Sequence, residues 1–318
     1  MRTLSFAALA LAVGPLAAQV DRDDFSYPNG AVVPGWTQQR GTWQVLNGRI
    51  SATSGALWAY ITKDGLAATD SVMDGEFFYS TATTVQFAGF TSRHPGTNLD
   101  SNLLMVKVQN NGGAADFDRC FAYERAIGAS TFVDIAGGTL QCYGRMITLD
   151  GECWMELDAD QDGIYELETP HKAVTAVFGS GLVGMCAYQT SEMDNFEYFD
   201  GVLVPQPGAA PIIGTTYNLA LDVPSANVPW LGVLSLGNAG VPLDAPRALP
   251  VSLDALFIAS LGVFVGQTDA AGKATFGIPI PNNPSLVGLG VYAGAVTIDT
   301  ALPFAVGHIA NESFFRIQ

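Results

Sequence analysis

Two Asp-Gly pairs set the tightest local constraint on this chain. Asp150-Gly151 separates Arg145-Met-Ile-Thr-Leu149 from Glu152-Cys-Trp-Met-Glu-Leu157, and Asp162-Gly163 follows a few residues later. An Asp-Gly pair between two alternating stretches makes a two-residue hairpin, because both positions must take a positive φ that these residues tolerate. Two reversals in succession predict an antiparallel meander with strands near 143–149, 153–158 and 163–168. A meander commits the surrounding chain to partners of the same kind, and the rest of the sequence supplies them. In Leu103-Leu-Met-Val-Lys-Val-Gln109, residues Leu104, Val106 and Val108 share one face. Ala274, Phe276, Ile278 and Ile280 do the same further on.

Short apolar runs of this kind, broken by Gly, Pro, Asn and Asp, recur through the chain, whereas helical spacing is nearly absent. The 35 glycines fit that pattern. One helix is expected, near Leu253–Ser260. The sequence therefore predicts an all-β protein, with strands that include 43–51 and 194–203 in a first domain and 215–222, 230–237, 248–253 and 261–267 in a second. Val202-Leu-Val-Pro-Gln-Pro-Gly-Ala-Ala-Pro211 reads as a break between them. The expected organisation is a leader over 1–19, a domain over 20–204, a linker over 205–211 and a smaller β-sandwich over 212–318.

Met1-Arg2, the apolar run Leu4–Leu16 and the small residues Ala17-Ala18 follow the plan of a cleavable signal peptide. The expected location is secreted or cell-envelope associated. No later stretch is apolar for long enough to span a bilayer as a helix, since Asp254 and Gly262 interrupt the best candidate. The net charge of −16 disfavours a nucleic-acid partner, whose phosphates it would repel. That charge is concentrated in residues 20–205, which hold 24 acidic and 10 basic side chains. Residues 206–318 hold only 6 and 3. So few charges predict that this second half packs against something, and an envelope partner is one candidate.

Cys120, Cys142, Cys153 and Cys186 all lie in the first domain. An even number in an exported chain predicts two disulfides. Of the three pairings, Cys120–Cys142 with Cys153–Cys186 closes the shortest loops. His94, His171 and His308 match no metal or nucleophile motif and are expected at the surface. The tryptophans are expected in the core, except that Trp154 shares a strand face with Glu156 and could stack on a sugar there.

The acidic run Glu156-Leu-Asp158-Ala-Asp160-Gln161-Asp162-Gly163 admits three readings. Its default is a solvated hairpin tip. Asp158, Asp160 and Asp162, with Glu168 beyond, also resemble the start of a calcium loop, although no ligand stands where the terminal bidentate Glu would fall. Finally, Glu156 and Asp158 match part of the E-x-D-x-x-E strand of jelly-roll glucanases, whose paired carboxylates flank a glycosidic bond. Gln161 replaces the acid of that motif. A second calcium site is conceivable between Asp24 and Asp194, at the two ends of the first domain.

Asp24-Phe-Ser-Tyr-Pro-Asn-Gly30, Gly35-Trp36, Gly41-Thr-Trp-Gln-Val45, Asn47-Gly-Arg-Ile50, Ala88-Gly-Phe90, Gly181-Leu-Val-Gly184 and Met193-Asp-Asn-Phe196 together resemble the laminin-G-like, concanavalin-A-like jelly rolls of secreted bacterial proteins. The stretch Gln267–Thr275, with Pro279–Gly288 and Val291-Tyr-Ala293, is similar to uncharacterised C-terminal β-domains of such proteins. The first resemblance implies a jelly roll that binds a glycan or cell-surface ligand without catalysis. A glycoside hydrolase and a structural envelope protein are the alternatives.

Overall fold

The computed structural model describes residues 20–53, 58–80, 85–96, 103–110, 115–175, 180–244 and 247–318; the expected leader lies outside the described residues. Sixteen strands form the first body. They are β1 (Val20–Asp23), β2 (Trp36–Arg40), β3 (Trp43–Leu46), β4 (Arg49–Ala52), β5 (Ala59–Ala68), β6 (Ser71–Phe78), β7 (Phe87–His94) and β8 (Leu104–Gln109). They continue as β9 (Phe117–Glu124), β10 (Ala129–Thr139), β11 (Gln141–Leu149), β12 (Glu152–Asp158), β13 (Leu167–Glu168), β14 (Lys172–Ala173), β15 (Gly181–Tyr188) and β16 (Glu192–Phe199).

A front sheet runs β13-β12-β11-β6-β16-β4-β3, with β1 beside β16 and β14 beside β12. A back sheet runs β10-β9-β8-β7-β15-β5-β2. Every pairing is antiparallel. Strands from the start, middle and end of the segment alternate within each sheet, which gives a jelly-roll sandwich. Between the sheets lie Trp43, Ile61, Phe77, Phe90, Phe117 and Phe196. Gly144 on β11 makes room there, since a Cβ on it would stand 2.3 Å from the Phe77 ring.

Besides two short 3-10 turns, the second body has ten strands and one α-helix among the described residues. They are β17 (Val202–Pro205), β18 (Thr216–Asp222), β19 (Pro229–Ser235), β20 (Val241–Asp244), β21 (Arg247–Leu249), α1 (Ala255–Ser260), β22 (Phe264–Gln267), β23 (Lys273–Pro279), β24 (Gly290–Ile298), β25 (Val306–Ile309) and β26 (Ser313–Arg316). Sheet β17-β18-β23 faces sheet β22-β19-β24-β25, which also carries β26. Leu219, Leu221, Phe276, Ile278 and Phe315 fill the space between. The Asp254 carboxylate caps α1 by accepting the Phe257 N–H at 2.9 Å.

Several boundaries differ from expectation. Residues 43–51 are two strands rather than one, because Asn47 (φ 55°) and Gly48 (φ 78°) make the tight turn that this pair favours. The run 194–203 also splits. β16 ends at Phe199, and Val202–Pro205 joins β18 in the second body. Gly201 sits at the crossing, where a Cβ would lie 3.0 Å from the Ala310 backbone. Only Leu167–Glu168 of the expected strand 163–168 is extended in a ladder.

The charge-poor second half packs on the first body. A row across the outer face of the front sheet pairs Trp154 with Ile147, Ile147 with Val72, and Val72 with Phe199. These side chains share one buried cluster with Val233, Val251, Phe257, Val296 and Ile309 of the second body. Both faces of β6 are thereby covered, and none of its residues is exposed. Burial of apolar area at roughly 25 cal/mol per Å² is the force that joins the two bodies.

The disulfide expectation is corrected. Cys120, Cys142, Cys153 and Cys186 are all free and buried. Cys186 lies between Met185 and Ala187, which face the core, so strand alternation turns its thiol to the other face of the back sheet, beside Tyr60 and Phe87. Cys153 points into the core with Met155 and Leu157. A Cys153–Cys186 bond would have to pass through a sheet. Cys120 and Cys142 face the same core as reduced thiols. Burial pushes Cys120, Cys153 and Cys186 up to about 12.

Candidate functional site

One residue pair down from the apolar row, the same face of the front sheet carries a row of charge. Arg22 on β1 stands opposite Glu197 on β16, Glu197 opposite Asp74 on β6, Asp74 opposite Arg145 on β11, Arg145 opposite Glu156 on β12, and Glu156 opposite Glu168 on β13. Arg145 is its centre, with a side chain only 3% exposed. Its Nε and Nη2 donate to the two Asp74 oxygens at 2.8 and 2.7 Å, a bidentate pair. From the second body, Glu312 accepts from Nη1 through its backbone carbonyl at 3.0 Å and from Nη2 through its carboxylate. Asn311 fixes that segment by donating to the carbonyls of Leu203 and Glu312. The Tyr165 ring lies 4.4 Å from the guanidinium carbon.

This row holds more carboxylates than cations. Burial, with Asp74 and Glu312 adding to it against Arg22, pushes Glu197 up to about 7. Burial also raises Glu156 and Glu312, against the pull of Arg145. Burial alone would lower the Arg145 guanidinium, but Asp74 and Glu312 outweigh it and hold it well above its ordinary range.

A cleft of about 330 Å³ opens beside this row, between the two bodies. Asp74, Tyr143, Asn195 and Glu197 line it from the front sheet, Tyr165 from the β12–β13 connection, and Asn238 and Glu312 from the second body. A bulge in β16 between Asp194 and Glu197 shapes its wall. Asn195 takes φ 52° there, a conformation that costs a non-glycine residue free energy. Its side chain donates to Glu76 at 3.1 Å and its N–H to the Asp194 carboxylate at 2.8 Å. Bulges commonly re-aim a side chain next to a functional site, and this one sets Asn195 into the cleft wall. Beyond Arg145 and Glu312 lies a second space of about 260 Å³, lined by Glu156, Tyr165, Glu168 and Phe314.

Of the predicted ligand residues, Trp154 is corrected. It is 4% exposed, its ring stacks on His171 at 4.0 Å, and the second body covers its face, so it offers no surface to a sugar. Glu156 stands 3.8 Å from Arg145 and borders the smaller space.

The acidic tip is a nest of side-chain-to-backbone hydrogen bonds. The Asp158 carboxylate accepts the N–H groups of Gln161, Asp162 and Gly163. Asp160 accepts from Asp162, and Asp162 from Ile164. Among the described residues, the one group of three or more acidic, His or Cys side chains with ligand atoms within 4.8 Å of one another is Asp158, Asp160 and Glu166. The predicted Asp162 and Glu168 are not in it. Asp162 is turned to its own backbone, and Glu168 pairs with His171 at 3.2 Å. Glu166 joins the group because residues 163–166 are irregular and not part of the expected strand 163–168. The three carboxylates suit a hard cation by donor type.

β1 does lie beside β16, which brings Asp24 near Asp194. Asp24 accepts the Ser26 N–H, a local turn bond. Burial, followed by Glu76 and Asp24 among the charges, raises Asp194 to about 6, against its bond from Asn195. The pair belongs to no metal-sized group of three among the described residues.

Two histidines expected at the surface are buried: His94 is 1% exposed and His308 6%. His94 accepts the Gly96 N–H on Nδ1 at 3.0 Å and packs against the Tyr60 ring, whereas His308 meets Asp200 and Ser225, which are far from it in sequence.

No family model and no curated protein matches the chain. Solved structures overlap with it in part. The carbohydrate-binding module CBM66 from Bacillus subtilis is 14% identical, with 51% of this chain and 93% of that one covered at a TM-score of 0.40. A Bacillus licheniformis β-glucanase is 8% identical, with 56% and 97% covered at 0.40. Lectin I-B4 from Griffonia simplicifolia is 10% identical, with 57% and 98% covered at 0.40. These overlaps are too slight to bear on function.

Proposed function

We propose that this protein binds a carbohydrate, neutral or amino-substituted, in the cleft between its two bodies, and that it does so outside the cytoplasm after loss of residues 1–19. The observation that carries the reading is the bulge at Asn195. It places a strained, hydrogen-bonded amide in a cleft wall shared with Tyr143, Tyr165, Asp74 and Glu197. Sugar hydroxyls need donors and acceptors at fixed positions, and carboxylates and an amide supply them. Tyrosine rings add apolar faces for the C–H surface of a pyranose. The excess of carboxylates opposes uronic acids and other anionic sugars.

The jelly-roll glycoside hydrolase is the weaker reading. Asp158 is committed to three backbone N–H groups, and Glu156 faces Arg145 under the second body. An envelope-docking role loses its main motive, because the charge-poor half covers the front sheet.

A glycan array probed with the whole mature chain tests the proposal. The isolated 20–204 segment is unsuitable, since it would bare Trp154, Ile147, Val72 and Phe199. Binding to neutral or amino sugars is expected, with a loss of about tenfold or more in Tyr143→Ala and Asn195→Ala, the scale of one or two lost hydrogen bonds. An array with no bound glycan, or variants that bind as well as wild type, would refute it. N-terminal sequencing of protein recovered from medium or envelope tests export, and an intact Met1 would overturn that part.

A further inference from the structure

A separate cleft of about 410 Å³ lies along the seam, with Asp70, Tyr198 and Asp200 on one side and Asp222, Pro224 and His308 on the other. Asp200 occupies the crossing between β16 and β17, and His308 is on β25. His308 Nδ1 lies 2.7 Å from Asp200 Oδ2, and its Nε2 lies 2.7 Å from Ser225 Oγ. The imidazole is held firmly, for its side chain is 8% exposed and its backbone N–H donates to Thr297 Oγ1. Ser225, next to the lining residue Pro224, is partly exposed. Its loop is pinned by Thr268, whose hydroxyl donates to the Ser225 carbonyl at 3.2 Å and accepts the Val228 N–H at 3.0 Å. Among the described residues, the Ser225 and Ala226 N–H groups donate to no other group, which leaves two backbone donors beside the hydroxyl.

We infer that Ser225, His308 and Asp200 form a nucleophile, base and orienting carboxylate for the hydrolysis of a carboxylic ester. The order of partners carries the inference. A buried histidine is satisfied by any partner on each nitrogen. Here the carboxylate sits on Nδ1, which fixes the proton there, and the hydroxyl of Ser225, a half-buried residue next to the cleft-lining Pro224, sits on Nε2, the nitrogen left as base. Asp200 and Ser225 lie 108 and 83 positions from His308 in sequence, so the fold, and no local motif, brings the three together.

The chemistry balances without a cofactor. Ser225 Oγ bonds to the ester carbonyl carbon as its proton passes to His308 Nε2. The tetrahedral adduct collapses, its C–O bond breaks, and the alcohol leaves with the proton from Nε2. Water then adds to the acyl-serine, giving its proton to Nε2, and Ser225 departs as the hydroxyl while the carboxylic acid is released. Asp70 and Asp222 line the cleft wall but pair with Arg93 at 3.8 Å and Lys273 at 2.9 Å, so the cleft suits esters with uncharged flanks. Asp200 acts through His308 and is a positioning residue. This activity stands independently of carbohydrate binding in the first cleft.

The test uses the full mature chain with a fluorophosphonate probe and with p-nitrophenyl acetate. The expected result is a single phosphonylated peptide containing Ser225 and ester turnover that falls at least 100-fold in Ser225→Ala, with an unchanged melting temperature. Asp200→Asn is expected to lower kcat while leaving KM and the melting temperature close to wild type. A merely structural Asp200 would move the melting temperature and leave kcat alone. Absence of label on Ser225, or turnover in Ser225→Ala equal to wild type, overturns the inference.

Discussion

Replacing Arg145 with Met tests how the charged row holds the two bodies together. Met keeps much of the volume and removes the charge. The loss comprises two charge-assisted hydrogen bonds to Asp74, two to Glu312, and the contact with the Tyr165 ring. What remains is Asp74, Glu156 and Glu312 facing one another under the second body with no cation among them. Removing one partner from a buried ion pair costs about 3–5 kcal/mol, mostly from the uncompensated charge left behind. At roughly 2–4 °C per kcal/mol for a chain of this size class, that is a fall of about 10 °C in melting temperature near pH 7.5. The cost depends on pH in a definite direction. Burial already raises Glu156 and Glu312 above the ordinary carboxylate value, and losing Arg145 raises them further. A carboxyl group raised in the folded state adds stability that is fully present below its unfolded pKa and is lost as pH rises through its folded pKa. The deficit of Arg145→Met must therefore be largest in mild alkali and shrink toward about pH 5. Arg145→Lys restores charge without the planar fork and recovers less than half. Differential scanning calorimetry across that pH range reads the result. A variant melting within about 2 °C of wild type at pH 7.5, or a deficit that is flat with pH, would refute the reasoning.

Glu197, held near pH 7 by burial, gives a second pH signature: wild-type stability falls between about pH 5 and 8, and Glu197→Gln removes roughly 1–3 kcal/mol of that fall, as about two pH units at 1.4 kcal/mol each allow for a partly exposed group. Denaturant melts that show the same slope for both proteins would count against it. The four thiols are expected to resist a thiol reagent at pH 8 in the native protein and to titrate as four in denaturant without reductant, and a count below four would restore a disulfide. Millimolar calcium is expected to raise the melting temperature with the logarithm of excess ion, and Glu166→Gln should abolish the rise while Asp162→Asn retains it. An unchanged melting temperature in wild type would leave the tip as a hydrogen-bonded hairpin alone.

What could be read in the sequence and what could not divide along a physical line. The β11–β12 hairpin was legible to within two residues, because Asp150-Gly151 and the alternation around it are local. Strand parity carries the thiol geometry too: Cys186 alternates with Met185 and Ala187 and leaves the core that Cys153 enters. The Asn47-Gly48 turn was likewise local. The charged row was not legible. Arg22, Asp74, Arg145, Glu156 and Glu197 meet only because five strands from different parts of the chain adopt one register, and a slip of one residue would turn Arg145 into the core. The same holds for Ser225, His308 and Asp200, which come from a loop, a strand and the crossing between the two bodies. Low charge in residues 206–318 did announce that docking, but not its object. The object follows from the front sheet. Its outer face has an apolar row set for a partner and, beside it, a cation that the sheet's own Asp74 cannot satisfy alone. Glu312 completes Arg145 from the second body, so the polar contact fixes the register of an interface that the apolar contact drives. Both clefts open along that interface, which makes the rigid seating of one body on the other the common requirement for either activity.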